Sequence, residues 1–289
     1  MASINTNASA MTALQSLKNT NKSLETTQSR ISTGFRVAEA QDNAAYWSIA
    51  TTKRSYNKAF SSVQDALGLG DGKIDTAYTG MKKAIELVDG IKQKLVTALG
   101  ASDEDKGKIH SEVVALQEQL KSVAVGANYA GSNLLASDAP ANLSIVSSYN
   151  RATDGTVTVS YIEVDVTNIT LTAADGTDGG LLDAVNAIDV SAAADDAAIE
   201  AHLTSVETAL SAMATAAADL GAAKTRVDLQ KDFVSNLMDS VDRGVGQLVD
   251  ADMNKESTRL QALQVQQQLG IQALSIANGN TQSILSLFR

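Results

Sequence analysis

Apolar residues recur along this chain at alternating steps of four and three. The longest such series runs Ile199, Leu203, Val206, Leu210, Met213, Ala217, Leu220, Lys224, Val227, Lys231, Val234, Met238, Val241, Val245 and Leu248. Thirteen of its fifteen positions are apolar, and only Lys224 and Lys231 interrupt it. A stripe of this period sustained for seven repeats predicts a long helix that packs side by side with another. A second series of equal length runs Ile49, Lys53, Tyr56, Phe60, Val63, Leu67, Gly70, Ile74, Ala77, Met81, Ala84, Val88, Ile91, Leu95 and Ala98. Gly68, Gly70 and Gly72 fall in its middle. Each costs a helix roughly 1 kcal/mol relative to alanine, so a kink is expected there. A straight helix of this length would span roughly 75 Å at 1.5 Å per residue.

Gly100 stands where a glycine ends a helix, and Ser102-Asp-Glu-Asp105 reads as a capping box opening the next. Ile109, Val113, Leu116, Leu120 and Val123 carry the same spacing, so three striped helices are expected to bundle. Between Asn142 and Leu171 the period falls to two. Leu143 and Ile145, then Val157, Val159 and Tyr161, then Ile169 and Leu171 alternate with polar residues around an Asp154-Gly155 turn. Ile162-Glu-Val164 shifts the phase by one, which predicts a bulge or a change of face. A loop, Asp175-Gly-Thr-Asp-Gly-Gly180, and a short helix over Leu181–Ile188 should follow.

The two ends read differently. Residues 1–43 and 250–289 are rich in Asn, Gln, Ser, Thr and Ala, with thin apolar stripes. Leu14, Leu17, Leu24 and Ile31 mark the first; Ala262, Val265, Leu269, Ala273 and Ile276 mark the second. Neither could be stable as an isolated helix, so each needs a partner.

Composition narrows the function. Apolar residues make up 44% of the chain and aromatics only 4%, which suits close helix packing better than a cofactor cavity. The single proline, Pro140, leaves long helices free to form on either side. The absence of cysteine excludes disulfides, thiolate metal sites and thiol nucleophiles. The N-terminus lacks the basic and apolar segments of a cleaved signal, and no run approaches the roughly 20 apolar residues of a membrane span. The location expected from composition is therefore cytoplasmic, or outside the cell by a route that cleaves nothing. From Asp138 to His202 eleven acids face one base, Arg151, a net −10 that equals the charge of the whole chain. An acidic centre between neutral flanks argues against a nucleic-acid partner and reads as a solvated surface.

Candidate chemistry is sparse. His110 and His202 each sit beside a stripe, away from any carboxylate cluster. Gly68-Leu-Gly70-Asp-Gly72 has the glycines of a phosphate loop but neither the preceding strand nor the following Lys-Ser/Thr. The pairs Asp195-Asp196 and Asp250-Ala-Asp252 read as surface acids, and no serine, histidine and acid combine in a hydrolase pattern. The chain is expected to hold no metal or cofactor and to be no enzyme. Asn7, Asn21, Asn142 and Asn168 begin Asn-x-Ser/Thr triplets, but Asn7 and Asn21 fall on helices where a glycan would obstruct packing.

The stretch Gln28-Ser-Arg30-Ile-Ser-Thr-Gly34-Phe-Arg36, followed by Asp42-Asn43-Ala44-Ala45 and Ile49-Ala50, resembles the N-terminal signature of bacterial flagellin. Asp250-Ala-Asp252, Glu256-Ser-Thr, Gln266-Gln-Gln-Leu-Gly270, Ala277-Asn278 and Ile284-Leu-Ser-Leu-Phe-Arg289 are similar to its C-terminal one, in the expected order. The resemblance covers residues 1–135 and 196–289. It implies a mainly α fold: a long antiparallel coiled-coil bundle with paired terminal helices and a small β-hairpin region. Residues 1–43 with 250–289 would form the inner core of a filament. Residues 44–137 with 196–249 would form the outer core, and 138–195 a small β region with an acidic exposed loop.

By the same resemblance the chain polymerises with itself, alone or mixed with other flagellins, into the extracellular flagellar filament that drives swimming. It would leave the cell unfolded through a type III export channel. An export chaperone would hold its C-terminal segment, and hook-associated and cap proteins would be its other partners, with no nucleic acid and no membrane. The assembly positions implied are Arg30, Gly34, Arg36, Asp42, Asn43, Leu285, Leu287 and Arg289. No large outer domain is expected, because the helical stripe resumes at Ile199. Ile85 stands where many enteric members place a receptor-contacting arginine, so no receptor residues are carried over. A hook–filament junction protein, with similar terminal helices, is the alternative.

Overall fold

The computed structural model describes residues 7–137, 142–152, 155–177, 179–191 and 196–286, with side chains as far as Gly279. Asp138, Pro140, Asp154, Asp178, Asp195, Leu287, Phe288 and Arg289, all named above, lie outside the described residues. The element order is α1 Ala8–Thr33, α2 Ala44–Ala98, α3 Asp103–Gly126, β1 Asn128–Tyr129, β2 Ser132–Asn133, β3 Leu143–Arg151, β4 Val157–Val164, α4 Asp183–Asn186, α5 Asp196–Val249 and α6 Met253–Ser286. A 3-10 turn at Gly180–Leu182 leads into α4. The architecture is thus mainly helical with two small antiparallel hairpins, as the sequence predicts. It divides into two compact units: Met1–Asn57 with Asp239–Arg289, and Lys58–Met238.

In the unit Lys58–Met238 the two long stripes do what their period requires. Every stripe position of α2 from Val63 to Ala98 is buried, including Ile74, Met81, Ile91 and Leu95 at zero exposure. On α5, Ile199, Val206, Met213, Leu220, Val227 and Val234 alternate as buried positions with half-buried ones. The two lysines that interrupt the stripe pair with carboxylates on α2. Lys231 Nζ lies 2.9 Å from Asp71, and Lys224 is paired with Asp75. With Lys92 paired to Glu207, these contacts fix α2 and α5 as antiparallel. Helix α3 opens on the expected cap, with Ser102 Oγ accepting from Asp105 N, and lays Val113, Gln117, Leu120 and Ala124 into the same core.

The glycine cluster of α2 does not interrupt the helix, which is unbroken from Ala44 to Ala98. A Cβ on Gly70 would come 2.5 Å from Ile145 Cδ1, one on Gly72 2.6 Å from the Tyr129 ring, and one on Gly80 2.7 Å from Leu135 Cδ1. Gly70 and Gly72 admit Ile145 and Tyr129 of the two hairpins against the helix backbone, and Gly80 admits Leu135.

The β3–β4 hairpin also differs in detail. Register runs from Leu143↔Val164 to Arg151↔Val157, and the irregularity falls between Val146 and Ser148, on β3 and not on β4. Ile145 and Ile162 pair and are buried, whereas Val157, Val159 and Tyr161 are exposed. The phase shift at Ile162 is therefore a change of face, supported by the bulge on the opposite strand. Gln117 Nε2 donates to the carbonyls of Val185, at 2.8 Å, and Ile188, at 3.2 Å, and so docks the segment around α4 on α3.

Candidate assembly interface

Arg30, Gly34, Arg36, Asp42 and Asn43 fall in the unit built from Met1–Asn57 and Asp239–Arg289, where α1 and α6 run antiparallel. Asn7 caps α1 by accepting from Ala10 N at 3.0 Å and donates to Ala277 O at 2.9 Å. Midway, Gln267 Nε2 donates to Asn21 Oδ1 at 2.8 Å. At the far end Arg30 Nη1 lies 3.3 Å from Glu256 Oε1. Asn7 and Asn21, two of the glycan-type triplets, are thus used in packing.

The inward row of α1 is Ala10, Ala13, Leu17, Thr20, Leu24, Thr27 and Ile31, again at steps of three and four. Its counterpart on α6 is Glu256, Leu260, Leu263, Gln267, Gly270, Leu274 and Ala277. Gly270 brings the helices close, since a Cβ there would sit 3.3 Å from Leu17 Cδ1. This corrects the stripe read from sequence. Of the α1 positions, Leu17, Leu24 and Ile31 face inward, but Leu14 does not. On α6 all five residues of the predicted stripe face outward: Ala262, Val265, Leu269, Ala273 and Ile276 are exposed, with Val265 at 55%, Leu269 at 57% and Ile276 at 67%. Helix α6 is apolar on two sides. The less apolar row holds α1, and the more apolar row has no partner within the subunit among the described residues. An apolar stripe of this length on a free surface marks an association site.

The segment between α1 and α2 is built from the remaining positions. Gly34 ends α1 in the left-handed region, φ +75°, and its N–H donates to Arg30 O. Arg36 and Val37 N–H both donate to Val249 O, and the Arg36 guanidinium donates to Leu248 O at 2.9 Å, so this strand-like segment caps the C-terminus of α5. Asp42 Oδ2 accepts from Ala38 and Glu39 N–H, and Asn43 Oδ1 accepts from Tyr46 N–H to cap α2. Asp252 caps α6 in the same way, through Asn254 and Lys255 N–H. A small apolar cluster of Val37, Ala50, Val245 and Val249 closes over these bonds, with the Arg54 guanidinium 4.6 Å from the Phe35 ring centroid.

The structure therefore gives Arg30, Gly34, Arg36, Asp42 and Asn43 partners within the subunit. Leu285 lies in the last turns of α6, whose side chains are not described, and Leu287 and Arg289 lie beyond. Sequence reasoning missed Glu256 as the partner of Arg30. The only available signal was an acid in the first turn of a helix. Nothing crowds the Gly34 Cα, so Gly34→Ala is expected to cost only backbone strain, about 1–2 kcal/mol. Urea titration followed by hydrogen exchange should place the loss at the α1 terminus. Arg30→Met would leave the buried Glu256 carboxylate unpaired, and its second oxygen already has no hydrogen-bond partner. A cost of about 1–3 kcal/mol is expected, read as faster exchange of α6 amides in the same unit.

No group of three or more acids and histidines is placed to hold a metal ion among the described residues. No helix among them is long and apolar enough to cross a membrane. His110 Nδ1 lies 3.2 Å from Asp189 Oδ1.

Comparison with known proteins agrees with this geometry. The model of the bacterial flagellin N-terminal helical region matches residues 4–139, and that of the bacterial flagellin C-terminal helical region matches 203–288. The chain is 59% identical to a flagellin of Brucella melitensis over 291 residues, and 48% identical to flagellin C of Rhizobium meliloti over 321 residues. Both alignments cover 100% of each chain. Among solved structures, a putative flagellar hook-associated protein from Vibrio parahaemolyticus superposes with a TM-score of 0.55 at 13% identity. It covers 72% of this chain and 100% of that one, a likeness of fold.

Proposed function

This chain belongs to the bacterial flagellin family, and from that premise we propose how its terminal helices build a polymer. It is a structural subunit of the extracellular flagellar filament. The observation that carries the proposal is the second apolar row of α6, Val265, Leu269 and Ile276, left open when the first row packs on α1. A copy of the same pair covers that row, and because the contact is not self-closing the copies add without limit. Residues 1–43 and 250–289 form the inner wall of the polymer. Residues 44–137 and 196–249 surround it, and the acidic 138–195 segment faces outward.

Arg30, Gly34, Arg36, Asp42 and Asn43 hold the entry to α2 at the angle the wall requires, while Leu285, Leu287 and Arg289 complete the inner contact. Its role in this reading is structural and not catalytic, in keeping with the flagellin family it belongs to. An export chaperone covers the open row before secretion, and hook-associated and cap proteins meet the same helices at the ends of the filament. Purified subunits seeded with sheared fragments should grow micrometre filaments in negative-stain electron microscopy, whereas a junction protein would stop at short rings. Deleting residues 270–289 should abolish growth while the circular dichroism of the Lys58–Met238 bundle persists; continued growth of the truncated chain would refute the role given to α6.

A further inference from the structure

We propose that Lys224 and Lys231 are specificity determinants that direct α5 onto α2 of its own chain and away from α5 of a second copy. The stripe on α5 is apolar at thirteen of fifteen positions, which in isolation is the pattern of a self-associating coiled coil. Lys224 and Lys231 are one heptad apart, so they occupy the same position in successive repeats. A parallel, in-register pair of α5 helices would set Lys224 against Lys224 and Lys231 against Lys231. An antiparallel pair with full overlap would set the two Lys224 side chains within about one turn of each other near its middle, with a Lys231 about two turns out on either side. Neither arrangement supplies an acid at the seam.

Helix α2 of the same chain does. Asp71 and Asp75 lie one turn apart on α2, and they meet Lys231 and Lys224 respectively. Both lysine side chains are only about one-third exposed, and each reaches a carboxylate on α2. Hydrogen bonding to Asp75 and Asp71 favours the charged form of both lysines, whose pKa values are raised. A lysine at a seam position lowers the stability of the seam but discriminates between partners. Replacing such pairs by apolar residues is often neutral or stabilising, so stability alone does not account for their presence. Discrimination matters for a chain that meets many identical copies at high local concentration as it folds.

The test uses the full chain with Ser235→Cys, an exposed uncharged position one turn beyond Lys231 and the sole thiol in a cysteine-free sequence. This parent is compared with the same chain carrying Lys224→Met and Lys231→Met, which keep the stems and remove the charges. Both are diluted from urea at micromolar concentration, unseeded, and oxidised before filaments appear. The doubly substituted chain should give at least tenfold more interchain disulfide than the parent. Adding Asp71→Lys and Asp75→Lys to a chain with Lys224→Asp and Lys231→Asp should restore the parent's level. Equal disulfide yield in the doubly substituted chain and the parent would overturn the proposal, as would dimerisation of the charge-swapped chain. Should the doubly substituted chain not fold, each single methionine variant is expected to raise the yield at least threefold, and no rise in either would overturn it equally.

Discussion

Replacing Leu269 and Ile276 together by aspartate is expected to abolish filament growth while leaving the subunit folded. Both side chains stand free of the α1–α6 pair, so the monomer loses no core contact when they become polar. In the polymer each would take an apolar side chain's burial away, about 1.5–3 kcal/mol, and leave a carboxylate to be desolvated in its place. Two such sites raise the concentration needed for growth by more than ~100-fold, since each 1.4 kcal/mol is a factor of ten. Seeded growth followed by sedimentation reads this directly. The same substitution at Leu263, only 9% exposed and facing α1, should instead unfold the terminal pair. A Leu263→Asp chain that melts normally, or a Leu269→Asp/Ile276→Asp chain that grows normally, would show that the two rows have been exchanged.

Gly70→Ala should destabilise the Lys58–Met238 unit, although alanine is the better helix former by about 1 kcal/mol. The new methyl would meet three carbons of Ile145, the nearest at 2.5 Å, and Gly70 has no room to move because its helix continues on both sides. Overpacking of this kind costs about 1–3 kcal/mol, because either the hairpin or the helix must shift to make room. Trimming the partner should relieve it: Gly70→Ala with Ile145→Val is expected to be more stable than Gly70→Ala alone. Chemical denaturation of the four chains of this cycle gives the coupling. Gly68→Ala makes the control, since nothing lies within 4 Å of its added methyl, and it should be neutral or stabilising.

These two expectations also mark where the sequence was easy to read and where it was not. The stripes of α2 and α5 are legible because a 4-3 alternation of large apolar residues has one physical outcome, a helix buried along that line. The pattern does not say which partner buries it. Helix α6 carries two stripes, and the more apolar one, Val265, Leu269 and Ile276, is the outer. The inner row contains Glu256, Gln267 and Gly270, which no hydropathy pattern selects. Gly70 reads as a weak point of the helix because propensity is local, whereas its reason, Ile145, lies on a distant hairpin.

At the linker, Gly34 and Asn43 were legible only as parts of a signature. The bonds from Arg30 to Glu256 and from Arg36 to Leu248 join residues at opposite ends of the chain, and their pairing is a product of the fold. The β1–β2 turn, with Ala130 at φ 51° and Gly131 at φ 83°, has strands too short to show a period. Its Asn133 nevertheless closes the end of α3 by donating to Ala124 O at 2.8 Å and accepting from Leu135 N–H at 2.8 Å.

The central claim is that the outer row of α6 is the contact between copies. A helical reconstruction of the assembled filament by electron cryomicroscopy tests it most directly. It should find Val265, Leu269 and Ile276 covered by the terminal helices of neighbouring subunits, with Glu256, Leu263 and Gly270 still against α1 of their own chain. A filament in which that outer row faces solvent would contradict the account.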